Sequence, residues 1–379
     1  MRLFWVVGES SGDHHAAKLI EELQKTAPEW QHAGMCGTQM KSAGCREVAN
    51  LKEAALMGLV EVIKHLPRLF KLQKRLIQEI VDWQADVVVL VDFPDFNLNL
   101  AKKLRKKSGG KVKVFYYVSP QVWAWRKGRA KTIAQLSDAM AVLFPFETEI
   151  YKPHGLEAVF HGHPLAGEVN PSDSIKNLRD KFNLSDGEEA VAVLPGSRKQ
   201  EVERLLPVQL DAIDRLRKKV DSPIKAIVAK ADTVDENLLN SIIGNRQNVM
   251  ITSDGSYDAL AVSKVGLVKS GTSTVEAALI GTPFVVLYKV SGMTYFLGKL
   301  LIKGVKHIAM ANLLTGREVV PERIQDEANP ETLSKDIFDL WSGKKRETMK
   351  EGLAEISTIL GEPGGTKRLA LWMKEFFGK

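Results

Sequence analysis

Asp86-Val87-Val88-Val89-Leu90-Val91-Asp92-Phe93-Pro94-Asp95-Phe96-Asn97 carries the fold class of this chain. Its near-continuous Val/Leu run reads as a strand buried on both faces, the habit of parallel sheets. Pro94 then fixes a turn, and a helical pattern runs through Leu98 to Lys107. The same unit recurs on either side. Leu3–Val7 is followed by a helix from about His14 to Lys25, and Lys111–Val118 and Ala139–Phe144 read as further strands. The pattern restarts after a polar stretch, Asn170 to Asp186, with strands over Ala190–Leu194, Ile224–Ala229, Val265–Lys269 and Phe284–Tyr288. Strand–helix alternation predicts doubly wound α/β sheets. We expect two Rossmann-like domains, 1–165 and 166–345, and a helical segment, 346–379. In that segment Leu369, Trp372, Met373 and Phe376 form one apolar stripe.

Composition narrows the function classes. Of 379 residues, 44% are hydrophobic and 26% charged, which fits a globular protein rather than a disordered or fibrous one. No apolar run reaches the roughly 18 residues of a membrane span, and no secretory leader is recognisable after Arg2. Cys36 and Cys45 are too few for a disulfide framework, so a reducing cytoplasm is expected. Residues 1–150 carry 22 basic against 16 acidic side chains, +6 of the net +7. A basic half implies an anionic partner: nucleic acid, phosphorylated substrate or membrane. Trp123, Trp125 and Arg126 are the sole aromatic interleaving of the kind RNA readers use, so nucleic acid is not expected.

Three strand-to-helix junctions are rich in Gly and Ser: Gly8-Glu9-Ser10-Ser11-Gly12-Asp13, Pro195-Gly196-Ser197-Arg198 and Ser270-Gly271-Thr272-Ser273-Thr274. Each offers free N–H groups where a phosphate is favoured. Each is equally accounted for by turn geometry and capping. None is a Walker loop or a G-x-G-x-x-G, so no dinucleotide cofactor is expected. Arg198 could fork onto a diphosphate. Glu276 could accept from ribose hydroxyls or favour its helix's first turn. Asp92, at a strand's carboxyl edge, is either a general base or a solvated turn acid. Asp95 reads as a helix cap. His14-His15 and His161/His163 lack the further ligands zinc needs, and no Asp-x-Asp pair is present, so no metal is expected. Residues 56–75 form a broad apolar stripe, Val60, Val62, Ile63, Leu66, Leu69 and Phe70, bordered by Lys64, Arg68, Lys71, Lys74 and Arg75. That is either core or an interfacial membrane helix.

Together these motifs resemble the lipid-A-disaccharide synthase family, glycosyltransferases of the two-domain GT-B fold. The resemblance rests on Gly8–Asp13, Met57–Val62, Asp92–Asn97 and Tyr117–Arg126 with its Val118-Ser119-Pro120-Gln121-Val122-Trp123-Ala124-Trp125 string. It continues through Leu143–Glu147, Gly162–Pro164, Leu194–Arg198, Ser270–Thr272, Asn312–Leu314 and Gly316–Glu318. The departures, Phe93 and Ser10, touch no charged position. The resemblance implies two Rossmann-like domains facing a cleft, with the C-terminal helix packed on the first. It implies inverting transfer from UDP-2,3-diacylglucosamine to the 6-hydroxyl of 2,3-diacylglucosamine 1-phosphate, giving the β-1′,6-linked disaccharide 1-phosphate. Asp92 would be the base and Arg198 the leaving-group cation, without a cofactor. Substrate contacts would come from Glu9, Ser11, Gly12, Asp95, Asn97, Gly196, Ser197, Ser270, Gly271, Thr272, Glu276, Asn312 and Arg317. Residues 56–75 would meet the anionic cytoplasmic face of the inner membrane, and a homodimer is a further partner the reading allows. The alternative is an isomerase of the same fold, like UDP-N-acetylglucosamine 2-epimerase, which needs no acceptor.

Overall fold

The computed structural model describes residues 1–51, 53, 62–123, 128–253, 255–290, 292 and 307–378, with the side chains of 62–66 excepted. The chain forms two compact units, Met1–Ala166 with Leu360–Lys379, and Gly167–Ile359.

The first unit contains β1 (Arg2–Val7), α1 (Ser10–Thr26), β2 (Gln31–Cys36), α2 (Thr38–Ser42), β3 (Arg46–Asn50), α3 (Val62–Asp82) and β4 (Val87–Val91). It continues with α4 (Pro94–Ser108), β5 (Lys113–Tyr117), α5 (Arg129–Leu136), β6 (Ala139–Ala141), α6 (Phe146–Tyr151) and β7 (Ala158–Val159). Its parallel sheet runs β3-β2-β1-β4-β5-β6-β7. Both faces are apolar, as the Val/Leu runs require. Phe4, Val6, Val88 and Leu90 pack on one side; Leu3, Trp5, Val7, Val87, Val89 and Val91 pack on the other.

The second unit contains α7 (Ile175–Lys181), β8 (Glu189–Leu194), α8 (Lys199–Leu216), β9 (Ile224–Ala229), α9 (Glu236–Ile243), β10 (Val249–Thr252), α10 (Ser256–Val262) and β11 (Val265–Lys269). Then follow α11 (Ser273–Ile280), β12 (Phe284–Tyr288), α12 (Met310–Thr315), β13 (Glu322–Ile324), α13 (Pro330–Asp339) and α14 (Lys344–Leu360). Its parallel sheet runs β10-β9-β8-β11-β12-β13. In each sheet the strand order reverses between the first and fourth strands in sequence. That reversal is the switch point at which doubly wound sheets bind ligands.

The last helix, α15 (Gly365–Phe377), packs against α1 in the first unit. Leu369, Ala370 and Met373 are buried there, and the Trp372 ring lies 5.9 Å from Phe115. The return crossing, at 359/360, lies within the 346–379 segment of the sequence reading.

Several boundaries differ from expectation for local reasons. Helix α1 starts at Ser10, not near His14, because the Glu9 carbonyl accepts from the Asp13 N–H at 3.0 Å. Strand β5 stops at Tyr117, where Val118 turns left-handed at φ 66°. Strand β6 stops at Ala141, and the Phe144 carbonyl already accepts from Glu147 N–H at the start of α6. Strands β2, β3, β7, β10 and β13 differ from expectation: β3 and β13 carry little apolar pattern, β7 and β10 are only two and four residues long, and His32 and Gly34 interrupt β2.

Candidate active site

Strands β1 and β4 end level, with Val7 beside Val91. The residues that follow are therefore brought together. A Cβ on Gly8 would lie 2.2 Å from the Phe93 ring, so only glycine fits beside this turn. Asp92 and Phe93 both hold left-handed backbone, φ 46° and 49°. Non-glycine residues persist there only when their surroundings compel it, at a cost of roughly 1–3 kcal/mol each. The Tyr116 hydroxyl and the Asn97 amide each donate to the Asp92 carbonyl at 2.7 Å, and the Asp92 N–H donates to the Tyr117 carbonyl at 3.2 Å. Asn97 is fully buried, so its amide is a clamp on the Asp92 backbone.

Burial first, and the Glu9 charge second, push the Asp92 carboxyl up to about 6, against a lowering contact from the Phe93 N–H. Such a group is mostly ionised at neutral pH yet basic enough to accept a proton in a transition state. Asp95, on the same turn, is exposed and ion-paired with Arg129. Glu9 and Ser11 are exposed at the start of α1, while Gly12 is buried against Val7 and Val91, where a Cβ would sit 3.0 and 3.2 Å from their methyls. Gly12 is therefore a packing residue that lets α1 approach the sheet. Glu147, the last residue of the Leu143–Glu147 motif, is buried in the first turn of α6. Burial pushes its carboxyl up to about 8, only partly offset by hydrogen bonds from the Phe144 and Leu143 backbone.

In the second unit Leu194 and Val268 are paired at the ends of β8 and β11, so the Pro195–Arg198 and Ser270–Thr272 loops leave neighbouring strands. Gly196 has φ 117°, and a Cβ there would lie 2.8 Å from the Glu201 Cβ. Glu201 Oε2 accepts from the Ser197 and Arg198 N–H groups at 3.1 and 3.3 Å. Arg198 itself points outward, its side chain 73% exposed. Ser270 N–H donates to the Leu287 carbonyl at 2.8 Å; Gly271 and Thr272 are exposed ahead of α11. The Glu276 carboxylate has Ser256 Oγ and Tyr257 OH each at 3.4 Å. Lys269 and Glu201 joined the site without having been singled out, although each sits within four residues of a Gly/Ser loop.

Two expected substrate residues are engaged otherwise. Asn312 is fully buried; its amide donates to the Val320 carbonyl and Glu322, and its Oδ1 accepts from Val319 and Val320 N–H, at 2.7 to 2.9 Å. That saturates the side chain and makes it a loop clamp. Arg317 is exposed and paired with Glu355. Of the expected membrane residues, Val60 and the side chains of Val62, Ile63 and Leu66 lie outside the described residues. Leu69 packs partly on the core, and Phe70 is 51% exposed. Among the described residues no group of three or more His, Cys, Asp or Glu is placed to hold a metal ion.

Residues 3–363 match the family model described as lipid-A-disaccharide synthetase. A lipid-A-disaccharide synthase of Syntrophus aciditrophicus is 40% identical over 369 residues, covering 97% of this chain and 95% of that one. One from Geobacter sulfurreducens is 38% identical over 379 residues, covering 100% and 98%. Among solved structures, the calicheamicin glycosyltransferase CalG4 superposes with TM-score 0.64 at 13% identity, over 100% of this chain and 98% of that one. A UDP-GlcNAc 2-epimerase of Neisseria meningitidis, bound to UDP-GlcNAc, superposes with TM-score 0.66 at 12% identity, over 99% and 100%. These two likenesses concern the fold, which is that of GT-B glycosyltransferases.

Proposed function

The chain belongs to the lipid-A-disaccharide synthase family and is a glycosyltransferase that forms the lipid A disaccharide; from that premise we propose how its residues carry the reaction. The donor is UDP-2,3-diacylglucosamine and the acceptor 2,3-diacylglucosamine 1-phosphate. Asp92 takes the proton from the acceptor 6-hydroxyl as that oxygen attacks the anomeric carbon and the bond to UDP breaks, inverting the centre. The observation that carries this reading is the half-buried Asp92 carboxylate, raised to about 6 and fixed on a doubly held left-handed turn at a switch point. Glu9 keeps that carboxyl basic. Arg198 and the N–H groups opening α8 and α11 compensate the charge on the leaving diphosphate, so catalysis proceeds without a metal. Glu276 receives the ribose.

The anionic inner-membrane surface is the partner of the first unit. Arg68, Phe70, Lys71, Lys74, Lys103 and Lys107 line a groove of about 1060 Å³ between α3 and α4. Lys103 and Lys107 donate to the side-chain oxygens of Gln73 and Gln78, each at 2.6 Å, and the Lys103 ammonium lies 5.1 Å from the Phe70 ring centroid; none of these neutral partners cancels the positive charge offered to lipid phosphate. No helix of the described residues is long and apolar enough to cross a membrane, and a peripheral contact on the cytoplasmic face fits this groove.

The test uses defined acylated substrates. UDP should appear only when the diacylglucosamine 1-phosphate acceptor is present, and mass spectrometry should find the disaccharide 1-phosphate. A new UDP-sugar formed without acceptor would instead support the epimerase alternative, which rests on fold likeness alone.

A further inference from the structure

We infer that Lys269 is a second diphosphate-binding cation, held in place by Glu201 until the nucleotide arrives; the inference rests on the donor reading above. Lys269 ends β11, whose preceding residues Val265, Gly266, Leu267 and Val268 are all buried. Its ammonium lies 3.0 Å from Glu201 Oε1, and the two side chains are only 22% and 15% exposed. The same oxygen lies 3.8 Å from Arg198 Nη1, while Oε2 takes the Ser197 and Arg198 N–H groups. A Cβ on Gly271 would come 3.6 Å from the Lys269 ammonium, which places that cation at the second loop as well as the first.

One carboxylate thus sits among two backbone N–H groups and two cations contributed by both Gly/Ser loops. That donor set is the one a diphosphate oxygen needs, and Glu201 occupies it. The charge does not balance, since one carboxylate faces two cations. A half-buried lysine–glutamate pair is also a poor way to stabilise a strand end, because desolvation consumes most of the Coulombic gain. An apolar residue would extend β11 more cheaply. The excess charge and the otherwise unexplained lysine both make sense when a dianionic ligand completes the cluster.

The test is calorimetric titration of the full chain with UDP, UMP and uridine, for wild type, Lys269→Met and Lys269→Gln, with a melting curve for each. Loss of one charge-assisted contact should weaken UDP by on the order of tenfold or more. Uridine, which has no phosphate, should bind both variants within twofold of wild type. Lys269→Gln keeps a donor to Glu201 and decides the matter if Lys269→Met fails to fold. A folded variant that binds UDP like wild type would overturn the role of Lys269. Equal weakening of UDP and uridine would reduce it to a structural residue. Wild type binding no UDP at all would instead sink the donor reading, and this inference with it.

Discussion

Asp92 is the base in the proposed reaction, and its environment sets a pH dependence that tests that role. Its carboxyl is raised to about 6, so the active ionised form is lost as pH falls through that value. The acid limb of kcat/KM should therefore lie near pH 6 rather than near the usual 3.8. Asp92→Asn keeps shape but removes the acceptor, and kcat should fall by roughly two to four orders of magnitude with UDP affinity little changed. Asp95→Asn should be milder; a dead Asp95→Asn beside a near-normal Asp92→Asn would exchange the two roles. Arg198→Lys should lose about 2–4 kcal/mol of transition-state stabilisation, because an ammonium cannot fork onto a diphosphate; steady-state kinetics at retained fold checks it. Glu147 makes a separate claim on stability. Its folded value, about 8, exceeds its ordinary 4.5, so the native state holds a proton that the unfolded chain releases. That contribution is full below pH 4.5 and is lost as pH rises to about 8, at about 1.4 kcal/mol per unit. Denaturant titrations of Glu147→Gln against wild type should show a steeper loss of stability with rising pH in wild type, the difference between the two being the Glu147 contribution. The position of Asp92 was legible, because a buried strand, a carboxylate and a proline follow one another in the sequence. The contacts of Asn312 were not legible: a motif fixes where a residue stands, while what its amide meets depends on Val319, Val320 and Glu322, brought round by the fold. Lys269 was hidden because its significance lies in Glu201, on another element.

At the scale of elements, the sequence was clear where a strand is an unbroken apolar run and poor where it is short, polar or interrupted. Strand β4 is Val-Val-Val-Leu-Val with every residue buried. Strand β3, Arg46–Asn50, has one buried residue, and β13 has none. An edge strand can form from polar residues because the neighbouring ladder supplies its hydrogen bonds. Helix α3 illustrates a second ambiguity, since one element serves two environments. Leu72, Leu76 and Ile80 face the core, while Phe70 and its surrounding cations face the groove. Phe70→Ser should leave the melting temperature nearly unchanged and weaken co-sedimentation with anionic vesicles. Wild-type binding itself should fall as salt rises, because each basic side chain contributes about 1 kcal/mol that screening removes. Leu76→Ala, by contrast, should cost about 2–5 kcal/mol. A Phe70→Ser variant that unfolds, or one that binds vesicles undiminished, returns the groove to the core or to another partner.

For the whole molecule, two sheets with separate cores predict two thermal transitions, each answering to its own perturbation. Saturating UDP should raise the transition of the second unit, by about 2.7 kcal/mol at a hundred times Kd. Met373→Ala, on the buried face of α15, should lower the other. Differential scanning calorimetry separates the two; a single transition shifted by both changes would show one cooperative body instead.

Helix α15 has a consequence for how the chain is made. Its docking site on the first unit is synthesised early, yet the helix itself follows the second unit, so roughly 190 residues must be translated in between. At ribosomal speeds that interval is about 10–40 s. Throughout it, the surface that will receive Leu369, Ala370 and Met373 faces water. The amino-terminal unit is therefore begun first and finished last, and a newborn chain passes through a stage in which the inserted unit is complete while its host still carries an open apolar face for chaperones to guard.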